Sequence, residues 1–282
     1  MNLFLLNGRS FLKMHGLGND FVVLDSRTNP IEISKEQICL MSDRHIGVGF
    51  DQLIVITHPK NKLADIFINI WNADGTEVST CGNAIRCIAW IVMQENSQTY
   101  ATIETKSGLF NAQMLADNMI SVDMGLAYLD WHDIPLSHSI DSNHLPINLE
   151  MLVDPVGVGM GNPHAVFFVK NIEAIDLARL GPILEHNPLF PDRCNIEIVQ
   201  LLDFKRLRMR VWERGVGITL ACGTGACATV VAASRRGIIQ RKADVVLDNG
   251  TLTIEWMKNN HVLMTGSVAL SYSGTLNSSL LQ

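Results

Sequence analysis

Short stretches rich in hydrophobic residues recur along the chain, and in several of them, such as MISVDM and RLRMRVW, hydrophobic and polar residues alternate with a period of two. In the N-terminal half these stretches are FVVLD, QLIVI, ADIFINIW, ATIET and MISVDM. In the C-terminal half they are HAVFFV, IEIVQLL, RLRMRVW, ADVVLDNGTLTIEW and HVLMTGSVALSY. Alternation of this kind, rich in Val, Ile and Phe, predicts β-strands. The pair Asn249-Gly250 predicts a hairpin turn, because glycine tolerates a positive φ.

Other segments have a helical pattern. SKEQICLMSD begins with Ser34 at a plausible N-cap and has Gln37 three residues later, which is a capping box. The segment around 173–186 is expected to be its counterpart. AIRCIAWIVM and GACATVVAA carry few charges on any face, which predicts helices enclosed by other elements, the second ending before Gly237. The sequence therefore predicts an α+β fold: a mostly antiparallel sheet or open barrel wrapped around a central apolar helix, twice.

The two halves of the chain repeat each other in the same order. GLGNDFVVL resembles GMGNPHAVF, FINIWNADG resembles RMRVWERGV, and Cys81-Gly82 recurs as Cys222-Gly223, at offsets of 141 to 143 positions. Chance matches would scatter, and this period is far too long for a solenoid. We therefore predict two pseudo-symmetric halves with an active site in the cleft between them. The predicted domains are 1–126, completed by the last strand at 268–282, and 127–267.

Composition narrows the possible partners. The 282 residues are 47% hydrophobic and 18% charged, with a net charge of −6 and no long basic run, so nucleic acid and anionic membrane are not expected as partners. No apolar run reaches the length of a membrane span, and the N-terminal segment lacks the basic region of a secretory signal. The expected location is the cytoplasm, where the six cysteines would stay reduced.

Two of the cysteines stand where an apolar helix is predicted to begin. A helix N-terminus has free N–H groups and a partial positive charge, which lowers the pKa of a thiol placed there. Cys81 and Cys222 are therefore candidate reactive thiols, and the glycines that follow them allow backbone N–H groups to approach an anion. We expect the other four to be small buried hydrophobic residues. These are Cys39, Cys87, Cys194 and Cys227.

The spacings of the cysteines favour neither metal nor redox chemistry. Cys-x5-Cys and Cys-x4-Cys match no usual zinc cluster, and there is no Cys-x-x-Cys motif. The glycines of GVGMGNPH fit neither a phosphate-binding loop nor a dinucleotide fingerprint. A pair of thiols instead suits inversion of a carbon centre, where one thiolate removes a proton from one face and one thiol adds a proton to the other. No metal and no cofactor are expected.

At these residues the chain resembles the diaminopimelate epimerase family, over most of residues 11–275. The resemblance rests on FLKMHGLGNDFVVLD, GVGFDQL, WNADGTE, CGNAIRC, GNPHAV, NIE and VWERGVGITLACGTGACA, which are specific in combination. It implies two pseudo-symmetric α/β halves, a homodimer, and pyridoxal-independent conversion of LL- to meso-diaminopimelate for lysine and peptidoglycan synthesis.

The resemblance also implies a role for each matching residue. Cys81 and Cys222 are the acid/base pair, His164 and Glu213 tune them, and the remaining residues bind the substrate. The backbone of Gly82-Asn83 and Gly223-Thr224 is implied at the reacting carboxylate, Asn19, Gln52 and Glu213 at the reacting end, and Asn72, Asn162, Asn195 and Arg214 at the distal end.

Alternatives remain at each level. The asparagines and Gln52 could be turn residues or satisfied polar groups, Glu213 and Arg214 a solvated charge pair, and His164 a structural histidine. The whole chain could be a proline or hydroxyproline racemase of the same fold, or a binding protein without turnover, although such racemases read CGH where this chain has CGN. Two departures from the family pattern, Ala84-Ile85 and Ile218, remove no residue assigned to the chemistry.

Overall fold

Residues 6–115 and 118–281 are described in a computed structural model of the chain, in which they form two compact units. One unit runs to Val122 and resumes at Gly266, and the other is Asp123–Thr265. Of the predicted domains 1–126 and 268–282, residues 1–5, 116–117 and 282 lie outside the described residues. The predicted domain boundaries themselves stay a prediction.

Short strands make up most of both units, and the helices are few. In chain order the strands are β1 (Ser10–Gly16), β2 (Asn19–Asp25), β3 (Gln52–Thr57), β4 (Ile66–Asn72), β5 (Glu77–Val78), β6 (Tyr100–Thr105), β7 (Gly108–Met114), β8 (Met119–Leu126), β9 (Asn148–Leu149), β10 (Leu152–Val153), β11 (Val156–Gly159), β12 (Pro163–Val169), β13 (Asn195–Asp203), β14 (Arg206–Glu213), β15 (Gly217–Thr219), β16 (Lys242–Leu247), β17 (Gly250–Trp256), β18 (His261–Ser267) and β19 (Ala269–Thr275). The α-helices are α1 (Lys35–Ser42), α2 (Gly82–Asn96), α3 (Leu177–Glu185) and α4 (Gly223–Arg235), and 3-10 turns occupy Ile172–Ala174 and Ser278–Leu281.

The first unit is a mostly antiparallel sheet. β1 lies between β19 and β2, and the order continues through β3 to β4, which carries β5 and β6; β7 and β8 follow. Only the β2–β3 and β4–β6 pairs are parallel among the pairings of this unit's described residues. The buried faces of β1, β6 and β7 pack on α2, which is enclosed as its apolar sequence requires.

The second unit repeats this pattern. β11, β12, β13 and β14 lie side by side, β15 and β16 both pair with the other edge of β14, and β17 and β18 follow β16. The parallel pairs, β12–β13 and β14–β16, fall at the same places as in the first unit. The register repeats as well, since Leu53 lies opposite Trp71 and Ile196 lies opposite Trp212. Together with α4, which packs on β11, β12 and β17, this confirms the predicted pair of pseudo-symmetric halves.

Each unit also has a second hydrophobic core, on the face of its sheet opposite α2 or α4, and a smaller helix covers it. In the first unit α1 buries Ile38 and Met41 against Phe50 and Leu53. In the second unit α3 is part of the corresponding core, with Leu180 buried. The predicted capping box is confirmed at α1, where the Ser34 hydroxyl accepts from the Gln37 backbone and the Gln37 side chain accepts from the Ser34 backbone.

The strand ends differ from the sequence prediction in two places. The hairpin between β16 and β17 turns at 248–249, and Gly250, with a φ of +144°, already pairs with Leu247. The run HVLMTGSVALSY is two strands, β18 and β19, separated at Val268. Among the described residues, no helix combines the length and apolar character needed to cross a lipid bilayer.

Candidate active sites in the two units

Both candidate thiols stand at the first residue before a buried helix. Cys81 is the N-cap of α2 and Cys222 is the N-cap of α4, each with an extended backbone conformation. The Cys222 sulfur accepts a hydrogen bond of 3.3 Å from the N–H of Gly225. The repeated Cys-Gly sequence therefore leads to the same local geometry twice, since the extended cysteine ends the incoming segment and the glycine begins the helix.

Around Cys81 the side chains form a polar network. The Cys81 thiol lies 3.6 Å from Asn19 Oδ1, which also accepts from Asn83 Nδ2 at 3.2 Å. The guanidinium of Arg86, fully buried, donates to Asn83 Oδ1 at 2.8 Å. On its other side the Asn19 amide donates to Asp51 Oδ2 at 3.1 Å, which fixes its orientation because a carboxylate can only accept.

Two further predicted residues of the first unit lie side by side at the ends of β3 and β4. Gln52 is directly opposite Asn72, and its Nε2 donates to Asn72 Oδ1 at 3.0 Å. Asn72 Nδ2 in turn donates to the Thr76 hydroxyl at 3.2 Å. The Gln52 carbonyl oxygen is buried and has no hydrogen-bond partner within the part of the chain that the structure describes.

The Cys222 thiol is more enclosed than the sequence suggested. The residue is 5% exposed, and its sulfur also lies 3.6 Å from the Thr224 hydroxyl. Burial, followed by the nearby carboxylates of Glu213 and Glu197, raises the pKa of Cys222 well above its ordinary value. The prediction that the helix N-terminus lowers this pKa is therefore wrong for Cys222 in the free protein, because desolvation of the thiolate outweighs the Gly225 N–H.

Glu213 closes the site from the end of β14. Burial raises the pKa of its carboxyl group, and hydrogen bonds from Thr219 and Cys222 only partly oppose that rise. Its carboxylate accepts from the Thr219 hydroxyl of β15. A carboxyl group with a raised pKa beside a thiol exchanges a proton with it more readily than an ordinary carboxyl group, which is the chemistry expected of a residue that tunes the thiol.

His164 and Glu197 form a second polar group beside this site, on adjacent strands. Both side chains are fully buried, and His164 Nδ1 lies 2.7 Å from Glu197 Oε1. The other ring nitrogen, Nε2, lies 2.9 Å from Asn162 Oδ1, and Asn162 Nδ2 lies 3.5 Å from the Thr224 hydroxyl. Asn162, His164 and Thr224 are thus brought together with Cys222, and the roles assigned to them from the sequence stay predictions.

Asn195 begins β13 directly opposite His164, and Arg214 follows the last residue of β14. Asn195 is 3% exposed, and its amide donates to the Pro163 carbonyl at 3.1 Å and accepts from the Arg214 N–H at 2.9 Å. Both ends of the Asn195 amide are therefore hydrogen-bonded to backbone groups. The Arg214 side chain donates to the Asp192 carbonyl at 3.0 Å.

Three site residues were missed by the sequence reasoning. Asp51 orients Asn19, Glu197 binds His164, and Glu185 accepts from the Trp212 indole at 2.7 Å and from the Gly215 N–H at 2.9 Å, which braces the turn after Glu213. A signal existed for Glu197, because it is a charged residue between the apolar residues Ile196 and Ile198.

The other cysteines differ from the candidate pair. Cys87, Cys194 and Cys227 are buried, as predicted, and burial raises the pKa of Cys87 to about 12. The prediction that Cys39 is buried is wrong: it lies on the exposed side of α1, whose buried residues are Ile38 and Met41. Within the described ranges, no three His, Cys, Asp or Glu side chains converge in a way that could hold a metal ion.

Comparison with known proteins gives a consistent result. The family described as diaminopimelate epimerase matches residues 11–129 and 156–271. A diaminopimelate epimerase of Rhodospirillum centenum is 52% identical over 97% of this chain and 94% of its own length. One of Acidiphilium cryptum is 46% identical over 97% of this chain and 98% of its own length.

The fold is also found in more distant solved structures. A hydroxyproline epimerase from Agrobacterium vitis, with bound trans-4-OH-L-proline, matches 97% of this chain and 94% of its own with a TM-score of 0.67. Its sequence identity to this chain is only 13%, so the match supports the fold alone.

Proposed function

The chain belongs to the diaminopimelate epimerase family, and we propose that it is an isomerase that interconverts LL- and meso-2,6-diaminopimelate without a cofactor. The observation that carries this proposal is the pair of cysteines, each at the N-cap of a buried helix at equivalent positions of two pseudo-symmetric units. The product serves lysine and peptidoglycan precursor synthesis.

In the proposed reaction, one sulfur is a thiolate and the other is a thiol. The thiolate takes the α-proton, and the electron pair of the broken C–H bond remains on the substrate, delocalised into the α-carboxylate. Backbone N–H groups of Gly82-Asn83 and Gly223-Thr224 stabilise that charge, as an oxyanion site does. The thiol then delivers its proton to the opposite face of the carbon, so the sulfurs have exchanged protonation states.

We assign Cys222 as the thiol of the pair in the free protein, because burial and the carboxylates of Glu213 and Glu197 raise its pKa. Cys81 is then the base. Its sulfur lies against Asn19 Oδ1, an acceptor that a substrate ammonium group would occupy instead. Binding of the ammonium would therefore remove the hydrogen bond that favours the protonated form of Cys81.

The two ends of diaminopimelate require two sets of polar groups. We assign Asn19, Gln52 and Glu213 to the reacting end, and Asn72, Asn162, Asn195 and Arg214 to the distal amino acid. Arg214 suits the distal carboxylate because a guanidinium pairs with it bidentately. Asn195 contributes by holding the Arg214 backbone, since both ends of its amide are already used.

The same proposal extends to the oligomeric state, the cellular location and the partners of the enzyme. We predict a homodimer in the cytoplasm, where the thiols stay reduced, with no nucleic acid or membrane partner. These points remain predictions.

Deuterium incorporation tests the reaction directly. Purified protein in D2O, without added cofactor, should incorporate deuterium at the α-carbon of diaminopimelate and should equilibrate the LL and meso forms. Cys81→Ala and Cys222→Ala should abolish epimerisation, whereas Cys39→Ala, the matched change at an exposed cysteine, should leave it intact. Normal turnover in either active-site variant would refute the two-base assignment, and no incorporation by the wild type would favour a binding protein.

Substrate specificity tests the distal site. Arg214→Ala should reduce kcat/KM for LL-diaminopimelate far more than for an analogue that lacks the distal carboxylate. An equal loss on both compounds would remove Arg214 from that site. Racemisation of proline or hydroxyproline in preference to diaminopimelate would favour the alternative racemase instead.

A further inference from the structure

The buried pair of His164 and Glu197 constrains the protons on the histidine ring. Nδ1 faces a carboxylate oxygen and Nε2 faces the amide oxygen of Asn162, at 2.7 and 2.9 Å. Both partners are acceptors, and a ring that donates from both nitrogens, an imidazolium, would satisfy the two contacts at once. Burying a carboxylate completely costs free energy unless a cation compensates it, and an imidazolium at His164 would compensate the buried Glu197.

The first unit has no such pair at the equivalent places. His164 lies opposite Asn195 as Phe21 lies opposite Gln52, so Phe21 is the counterpart of His164. Two residues further along each second strand, Ile54 is the counterpart of Glu197. Phe21 and Ile54 are both fully buried and apolar, so the common fold does not require the ion pair. Its presence in one unit only indicates a role in the chemistry of that unit.

The equivalent asparagines of the two units present opposite ends of their amides. Asn19 gives its NH2 group to Asp51 and its oxygen to the thiol of Cys81. Asn162 gives its oxygen to His164 and directs its NH2 group to the Thr224 hydroxyl, next to Cys222. A carboxylate can only accept, which fixes the Asn19 amide, and a His164 ring that donates from Nε2 would fix the Asn162 amide in the opposite sense.

We propose that Glu197 is a positioning residue for the epimerase reaction: it holds His164 as an imidazolium, which in turn fixes the Asn162 amide with its NH2 group toward Thr224 and Cys222. This inference rests on the proposed function for the reaction that is positioned. Without the charge of Glu197, a neutral ring would keep its proton on Nδ1 and accept at Nε2. The Asn162 amide would then turn over and present an oxygen where the site has a donor.

Glu197→Gln tests this role, because glutamine keeps the shape and removes the charge. The 15N spectrum of the His164 ring, assigned by its loss in His164→Gln, should be that of an imidazolium in the wild type and of a neutral ring in Glu197→Gln. The charged groups that face the ring are Glu197 from β13 and Glu213 from β14. The wild type and the variant are therefore compared at one pH near neutrality, so that a change in pH does not alter these two groups.

The kinetic readout uses a matched control. Thr229 is a fully buried polar residue of α4 whose hydroxyl contacts Met209, so Thr229→Val is an isosteric loss of buried polarity away from His164. Glu197→Gln should lower kcat/KM for LL-diaminopimelate about 10- to 100-fold, as expected for loss of a charge-assisted hydrogen bond, whereas Thr229→Val should not.

A neutral His164 ring in the folded wild type overturns the proposal, whether or not any variant folds. So does an unchanged kcat/KM in folded Glu197→Gln. If the wild type shows no turnover of diaminopimelate, the proposed function fails, but the ring spectra of wild type and variant still decide whether Glu197 sets the state of His164.

Discussion

Replacement of Gly225 by alanine tests the packing of the second site. Gly225 is in the first turn of α4, and an ideal Cβ at this position would lie 2.8 Å from Glu197 Oε1 and 3.3 Å from Cys222 Sγ. The first distance is shorter than a Cβ contact can be, so the carboxylate or the helix must move. Neither has space, because Glu197 is fully buried and bound to His164.

Three contributions determine the expected change in the free energy of unfolding. Overpacking of a tight site costs about 1–3 kcal/mol. Weakening the charge-assisted bond between Glu197 and His164 adds about 1.5–3 kcal/mol if the bond is lost. The better helix propensity of alanine returns at most about 1 kcal/mol. We therefore expect Gly225→Ala to destabilise the protein by about 2 kcal/mol or more and to lower kcat/KM at least about tenfold.

Urea unfolding and steady-state kinetics measure both effects, with a control from the other unit. The equivalent position there is Ala84, and Ala84→Gly should cost only about 1 kcal/mol of helix propensity. Adding Glu197→Ile to Gly225→Ala should recover stability, because Ile54 and Ala84 are the corresponding pair in the first unit. A Gly225→Ala protein with wild-type urea midpoint and kcat/KM would refute the placement of the Glu197 carboxylate.

Four further predictions concern single groups. Because burial raises the pKa of Cys222, iodoacetamide should label it slowly at neutral pH and faster as the pH rises, in a Cys81→Ser background followed by mass spectrometry; fast labelling at pH 6 would contradict this. Asp51→Asn should release the Asn19 amide and lower kcat/KM about tenfold, and an unchanged value would exclude that role. Burial raises the pKa of Asp20, but hydrogen bonds from Arg44 and Lys13 outweigh it and lower the pKa to about 2, below the value in the unfolded chain. Ionised Asp20 therefore stabilises the fold above about pH 4, and this contribution is lost as the pH falls toward 2. The urea midpoints of Asp20→Asn and wild type should converge at that low pH. Ser34→Ala should cost about 1 kcal/mol through loss of the α1 capping box, and no change in unfolding would show that the cap is dispensable.

Local sequence patterns accounted for the elements and for the positions of the two thiols. Alternation identified the strands, the capping box identified α1, and the apolar character of the Cys-Gly segments identified α2 and α4. The ionisation of Cys222 could not be predicted in this way. It depends on Glu213 and Glu197, which come from two other strands, and on complete desolvation, which no local pattern reports. The helix N-terminus was the one contribution visible in the sequence, and it is the weaker one here.

The departure at Ala84 has a physical explanation that the sequence alone did not give. The corresponding Gly225 must lack a Cβ because the Glu197 carboxylate fills the space where it would lie. In the first unit the counterpart of Glu197 is Ile54, so the reason for a glycine is absent and alanine is tolerated. The second unit alone requires a glycine at this position, because the second unit alone has the Glu197 carboxylate.

The two units share a backbone and differ in the charges around their thiols, and this difference is required by the proposed chemistry. Two thiols in identical surroundings would have the same intrinsic pKa and nothing to distinguish them, whereas the proposed reaction needs one thiolate and one thiol. A buried guanidinium, Arg86, lies in the helix of the first unit, and two carboxyl groups lie beside the thiol of the second. Pseudo-symmetry therefore supplies two thiols at equivalent helix ends, and the substitutions that break the symmetry give them the different surroundings that the proposed proton donor and acceptor require. These substitutions, first unit to second, are Phe21 to His164, Ile54 to Glu197, Asn72 to Glu213 and Arg86 to Cys227.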